Sequence, residues 1–301
     1  LGNGEGPCIA LRADMDALPI HEEADVEFRS EIDGKMHACG HDCHTAMLLG
    51  AARVLKDNEG EINGTIKLIF QPAEEGGAGG KMMRDQGVLE DPDVERIFGL
   101  HVSDKLPTGT LASKEGTLLA ATSSIKILVS GDGGHAAMPH LTVDPVVTGS
   151  KIVVELQTLV SRELDPLESG VISITMANAG SATNVIPSSM ELQGTIRSLT
   201  SDGITRLQQR VREVAEAIAM ANRCIAEVTF PGNDFPPTVN DGDCWELGRI
   251  SAGEILGEEC VSEMGSIMGG EDFSYYTQVI PGCFSFLGVG NPEIGAVYGV
   301  H

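Results

Sequence analysis

The sequence predicts an α/β fold with a separate α+β unit inserted into it. Three observations lead there. Short apolar runs that read as buried strands end in carboxylates or a histidine, where open α/β sheets collect their ligands. Near Gly116 the pattern changes to strand, helix, strand, strand, helix, strand, the split βαβ order of ferredoxin-like units. Beyond Pro231 the first pattern resumes. The expected domains are therefore 1–116 together with 231–301, and an inserted 117–230.

The first strand is expected over 8–13, entered from a Gly/Pro turn and closed by Asp14-Met15-Asp16. Two carboxylates one residue apart suit a metal ligand and the group that orients it, although taken alone an ordinary acidic turn is the preferred explanation. A helix is expected over 46–55, with Met47, Leu48, Ala51, Ala52 and Leu55 on one face. Just before it lies the densest chemistry of the chain. Met36-His37-Ala38-Cys39-Gly40-His41-Asp42-Cys43-His44 holds three histidines, two thiols and a carboxylate in nine positions, all able to bind a transition metal. A closed structural zinc knot would need a second Cys/His pair at finger spacing, and none follows.

A strand over 65–71 runs into Pro72-Ala73-Glu74-Glu75-Gly76-Gly77. Adjacent carboxylates followed by glycines suit a division of labour, one Glu binding metal and its neighbour facing an activated water; a solvated acidic turn is the plain alternative. A third strand, over 96–101, ends in His101. In the inserted unit a strand over 123–129 leads through a Gly-rich turn to His135, and a helix follows with Asp144 as N-cap and Pro145 at its first position. Strands over 171–176 and 190–199 come next, then a helix over 202–222 with Ile204, Leu207, Val211, Val214 and Ile218 on one face, then a strand over 224–230. The return to the first unit supplies a helix over 244–256, a turn over 268–274 and a strand over 283–287.

The 301 residues allow one or two domains, and 42% hydrophobic content marks a globular chain. Lys+Arg 20 against Asp+Glu 44 leaves a formal charge of -24, which argues against nucleic acid and anionic membranes as partners. An anionic substrate would need cations placed locally against that background. Seven cysteines without repeated spacing point to free thiols and a reducing compartment, hence a cytoplasmic expectation. No apolar run of membrane-spanning length occurs, and the chain reads as soluble and as truncated at both ends.

Six motifs, taken in order, resemble a known family: Asp14-Met15-Asp16, Cys39-Gly40-His41-Asp42, Gln71-Pro72-Ala73-Glu74-Glu75, Gly99-Leu100-His101, Gly134-His135-Ala136 and Gly269-Gly270-Glu271-Asp272-Phe273. They are similar to the motifs of the metal-dependent amidohydrolases that include hippurate hydrolases, N-acetyl amino acid deacetylases and plant auxin-conjugate hydrolases, within the aminoacylase and zinc carboxypeptidase clan. The resemblance implies an aminopeptidase-like catalytic domain with two divalent metal ions (zinc, manganese, nickel or cobalt) and an inserted α+β lid through which the protein forms a homodimer. It implies Cys39, His41, Glu75, His101 and His301 as metal ligands, Glu74 as general base and Asp16 as part of the catalytic set. His135 and Asn184 correspond to lid residues that reach an active site, often the partner subunit's, and Arg197 to a binder of the substrate carboxylate. Cys43 departs from the pattern, since glycine usually stands there. The implied reaction is hydrolysis of an N-acyl amino acid amide bond by a metal-activated water, with a carboxypeptidase or dipeptidase of the same clan, or a non-catalytic metal- or peptide-binding relative, as alternatives. A cysteine hydrolase with Cys39 as nucleophile is the rival chemistry, and it leaves Glu74, Glu75 and His101 without a task.

Overall fold

The structure, a computed structural model, describes residues 1–299, so the expected ligand His301 lies outside the described residues. Two compact units form. The first is built from Leu1–Leu119, Thr238–Ile267 and the described residues 271–299, the second from Ala120–Pro237 with Met268–Gly270.

The first unit begins with β1 (Cys8–Asp14), α1 (His41–Asp57), β2 (Thr65–Gln71), α2 (Gly79–Asp85), β3 (Arg96–Pro107), β4 (Leu111–Ser113) and β5 (Gly116–Leu119). The second unit follows with β6 (Ala121–Ser130), β7 (Gly134–His135), α3 (Pro145–Thr158), β8 (Gly170–Ala179), β9 (Val185–Ile186), β10 (Ser189–Ser198), α4 (Ser201–Ala221) and β11 (Ile225–Thr229). The return adds β12 (Thr238–Asn240), α5 (Gly242–Leu256), β13 (Val261–Glu263), α6 (Ser274–Thr277) and β14 (Gly282–Gly290).

A six-stranded sheet in the order β13-β4-β14-β3-β1-β2 organises the first unit. Its centre is parallel: β1 pairs with β2 up to Asp14 opposite Gln71, and with β3 up to Arg12 opposite Gly99. Strands buried on both faces read as continuous apolar runs, and Ala10, Ile69, Ile97 and Phe284 are accordingly sealed with Phe273 and Tyr276 in one core. Each such large side chain contributes about 1.5–3 kcal/mol by leaving water. Between α1 and α5 the sheet face stays open as a cavity of about 330 Å³, lined by Met47, Leu48 and Ala51 of α1 and by Leu11, Phe98 and Leu100 of the strands.

Two elements differ from expectation where the site is built. The helix expected from 46 starts at His41, because His41, His44 and Leu48 form its buried stripe and imidazoles there take the place of apolar residues. The strand expected to end at His101 runs on to Pro107, because β14 continues the ladder past the last β1 partner and pairs Phe286 with His101. His101 therefore sits within β3, just beyond the level where β1 pairing stops, rather than at its end.

In the second unit β11, β6, β10 and β8 form an antiparallel sheet in that order. Helices α3 and α4 pack on it around Ile127, Ile152, Leu156, Leu192, Leu207 and Val211. Asp144 caps α3 by accepting the N–H groups of Val146 and Val147, and Pro145 occupies the first helical position, where its missing N–H costs nothing. No helix among the described residues is long and apolar enough to cross a membrane.

Candidate metal centre

The chain leaves β1 at Asp14 and reaches Asp16, whose carboxylate straddles the turn after β2. Oδ1 accepts the Glu74 N–H and Oδ2 the Glu75 N–H, each at 3.0 Å. That turn holds Ala73 at a φ of 61°, a left-handed conformation that costs an alanine about 1–2 kcal/mol. Hydrogen bonds to an ionised acceptor are strong enough to offset such strain.

Gly40 opens α1. Its φ is 92°, and a Cβ there would lie 2.5 Å from Val102 Cγ2, so only glycine lets the chain turn between Cys39 and His41. His41 is fully buried, and its Nδ1–H donates to the Asp16 carbonyl at 3.0 Å. Nε2 is left as a lone pair, buried and without a partner. His101 repeats the arrangement: Nδ1–H donates to the Val102 carbonyl at 2.7 Å, and Nε2 faces Cys39 Sγ at 3.4 Å. One ring nitrogen tied to an acceptor with the other facing candidate donors is how metal-binding histidines are held; in His41 the second nitrogen is free, and in His101 it meets the Cys39 thiol.

The donor atoms of Cys39, His41 and His101 lie within 4.8 Å of one another, as do those of His41, Glu74 and Glu75. Glu75 Oε1, like His41 Nε2, is buried without a partner. Convergent lone pairs on a mixed sulfur, nitrogen and oxygen set, with two buried atoms lacking partners, fit a pair of divalent transition-metal ions. Two neighbouring groups do not join them. Asp14 is engaged by Arg12 and His44, and His44 Nε2 already accepts the Val102 N–H, so Asp14, where a ligand was one reading, is satisfied from within the protein.

A sequence profile of peptidase family M20/M25/M40 matches residues 10–301. The chain belongs to this family. Among its relatives, the IAA-amino acid hydrolase ILR1-like 2 of Arabidopsis thaliana is 50% identical over 292 residues, covering 96% of this chain and 66% of that protein. The N-acetylcysteine deacetylase of Bacillus subtilis is 41% identical over 97% of this chain and 76% of that one. A dinuclear metal binding peptidase of the M20 family from Bacillus subtilis, known from its crystal structure, superposes with a TM-score of 0.79 at 36% identity, over 95% of this chain and 73% of that one. The chain spans just under two thirds of the length of the plant relative.

The electrostatics of this M20 chain follow from burial. It opposes charge on His41, yet the Asp16 hydrogen bond with Asp14 and Glu75 nearby outweighs it and raises the pKa. His101 goes the other way, lowered to about 4 by burial and by His44. Burial, with Glu75 beside it, pushes the Cys39 thiol up, the opposite of what an activated nucleophile needs. Burial, with Glu271 and Asp272 alongside, pushes Glu74 up to about 10. A cation close by reverses both shifts, so the site's chemistry asks for metal rather than for a thiol nucleophile.

Beneath these candidate ligands lies a network that sequence reading missed. Fully buried Arg12 donates to Gln71 Oε1 at 2.9 Å, Asp14 Oδ2 at 2.7 Å, Glu271 Oε1 at 3.0 Å and Asp272 Oδ1 at 2.8 Å. Gln71 and the Gly80 N–H complete the partners of Asp272. The available signal was an arginine inside an otherwise apolar strand, which a buried position permits only with acceptors on several sides.

His135 and Asn184 come together in the second unit. β7 pairs His135 with Val185 of β9, and the Ala136 N–H donates to the Asn184 carbonyl at 3.0 Å. His135 is exposed, and its Nδ1 accepts the Ala137 N–H, which leaves the ring proton on Nε2. Arg197 is half-buried and donates from Nη1 to the Met268 carbonyl at 2.6 Å. His37 and Cys43 are exposed.

Proposed function

We propose that this chain carries the catalytic machinery of a metal-dependent amidohydrolase that cleaves the amide bond of N-acyl amino acids, releasing a carboxylic acid and an amino acid. The convergence of Cys39, His41, Glu75 and His101 beside Glu74 carries this reading. The names of the relatives support the substrate class, one a hydrolase of IAA-amino acids and another a deacetylase of N-acetylcysteine. N-acetyl, N-benzoyl and indole-acetyl amino acids are the substrates proposed.

Cys39, His41, Glu75, His101 and His301 would hold two divalent cations, drawn from zinc, manganese, nickel or cobalt. When bound, such a pair polarises the scissile carbonyl and acidifies water. Glu74 takes the proton of the attacking water and delivers it to the leaving nitrogen. Asp16 keeps Glu74 and Glu75 in register and, through its carbonyl, aims His41. His135, exposed and with its ring proton on Nε2, stabilises the developing oxyanion, a contribution of about 2.7–4 kcal/mol in comparable sites. Asn184 binds substrate beside it, and Arg197 pairs with the substrate carboxylate, a local cation against the acidic background.

The second unit serves as lid and dimerisation domain. Edge strand β8 supports this: it ends its sheet, and its residues from Thr175 to Ala179 are exposed. An uncovered strand of that kind pairs readily with a second copy. All seven thiols are unpaired, which supports a reducing, cytoplasmic setting.

Hydrolysis of a panel of N-acetyl, N-benzoyl and indole-acetyl amino acids and of plain dipeptides tests the reading. Activity on the acyl amino acids should vanish with a chelator and return with metal. Cleavage of dipeptides alone would transfer the chain to the dipeptidases, and activity that survives chelation would overturn the metal mechanism.

A further inference from the structure

His44 belongs to the His-rich stretch, yet the proposed chemistry does not use it. It is 2% exposed, so it cannot touch a substrate. Both ring nitrogens are committed: Nδ1–H donates to Asp14, and Nε2 accepts the Val102 N–H at 2.9 Å. Because Nε2 accepts, the ring proton is fixed on Nδ1.

The Val102 bond leads to one candidate ligand imidazole, and the Asp14 bond holds a carboxylate beside the other. Val102 is the residue whose carbonyl aims His101, accepting its Nδ1–H at 2.7 Å. Asp14 Oδ2 lies 3.8 Å from His41 Nε2, flanking that nitrogen without a hydrogen bond to it. The His44 ring also backs both imidazoles directly, its centroid 4.6 Å from that of His101 and 5.4 Å from that of His41. His44 thus ties the first turn of α1 to the end of β1 and the middle of β3, the three places from which Asp14, His41 and His101 project.

We propose that His44 is a positioning residue for the metal centre, setting the aim of His41 and His101 without binding metal itself. This rests on the metal-centre reading above. A satisfied core histidine would contribute stability alone. A positioning residue contributes affinity for the ion as well, because outer partners of metal ligands typically change affinity about 10- to 100-fold.

The test measures Zn²⁺ affinity by competition with a chelating dye, and the visible spectrum of the Co²⁺-loaded chain, for wild type, His44→Leu, His44→Gln and Tyr276→Phe. Tyr276 is a control from the same buried network, since its hydroxyl donates to Gln71 Oε1 at 3.0 Å, whereas the hydrogen bonds of His44 go to Asp14 and Val102. His44→Leu should weaken Zn²⁺ binding about 10- to 100-fold and shift the Co²⁺ bands. His44→Gln, which can still offer an oxygen to the Val102 N–H, should lose less affinity than His44→Leu. Tyr276→Phe should lose stability only. Wild-type affinity and spectrum in His44→Leu, or an equal loss in Tyr276→Phe, would overturn the proposal. If His44→Leu does not fold, His44→Gln decides: altered bands with weaker binding support the proposal, and an unchanged centre refutes it. Failure of the wild-type chain to bind either ion would instead remove the metal-centre reading itself.

Discussion

The carboxylate of Asp16 accepts the backbone N–H of Glu75 at 3.0 Å, so the loop after β1 holds the turn after β2. Its second oxygen does the same for Glu74, and its hydrogen bonds keep its own pKa low although burial opposes ionisation. Asp16→Ala removes the hold on both glutamates at once and leaves Ala73 in its left-handed conformation with less to keep it there. We expect kcat/KM to fall about 10- to 100-fold with the fold intact by circular dichroism. An unchanged kcat/KM would mean that the turn holds itself.

Arg12 is the buried cation among Asp14, Glu271 and Asp272. Arg12→Met leaves these carboxyls uncompensated and should lower unfolding stability by about 3–5 kcal/mol in urea titrations. Arg12→Lys should not restore it, because one ammonium cannot reach acceptors on several sides of a planar fork. By contrast Arg210, which pairs with Glu163 and Glu213 at the surface, should cost at most about 1 kcal/mol when replaced by alanine. Equal losses at the two arginines would contradict the network.

Of the first unit's strands β1, β2, β3 and β14 were legible because buried parallel strands are continuous apolar runs, and the 65–71 expectation coincides with β2; the short β4, β5, β12 and β13 were not expected. The start of α1 was not, because His41 and His44 are polar residues on a buried stripe and break the apolar period. The family resemblance singled out Cys39, His41, Glu75 and His101, and their donor atoms lie close around His41. Sequence spacing could not tell which of three nearby histidines turns a ring nitrogen towards the other candidate donors. That depends on the Asp16 and Val102 carbonyls, which accept from His41 and His101, and on the Val102 N–H that consumes the lone pair of His44. Arg12 stayed hidden because its four acceptors come from segments as far apart as Asp14 and Asp272.

His135 lies in the second unit and the proposed ligands in the first, so its proposed part in catalysis can be supplied by the same chain or by a second copy. Mixing inactive His135→Ala with inactive Glu74→Gln separates the two. If a homodimer shares His135 across subunits, random exchange should restore about a quarter of wild-type activity, since half the dimers are mixed and each has one intact site. Demonstrated exchange without recovery would mean that His135 acts within its own chain or not at all.

The neighbouring glutamates test the central claim most directly. Glu74→Gln keeps the shape but cannot accept a proton, so metal content should stay at the wild-type level while turnover falls by about two to four orders of magnitude. Glu75→Gln, which alters the carboxylate whose Oε1 is buried without a partner, should instead lower metal content. Metal content and turnover of the two purified variants, measured side by side, decide the matter. The account predicts a metal-loaded, inactive Glu74→Gln and a metal-depleted Glu75→Gln. Metal loss in Glu74→Gln with full occupancy in Glu75→Gln would contradict it.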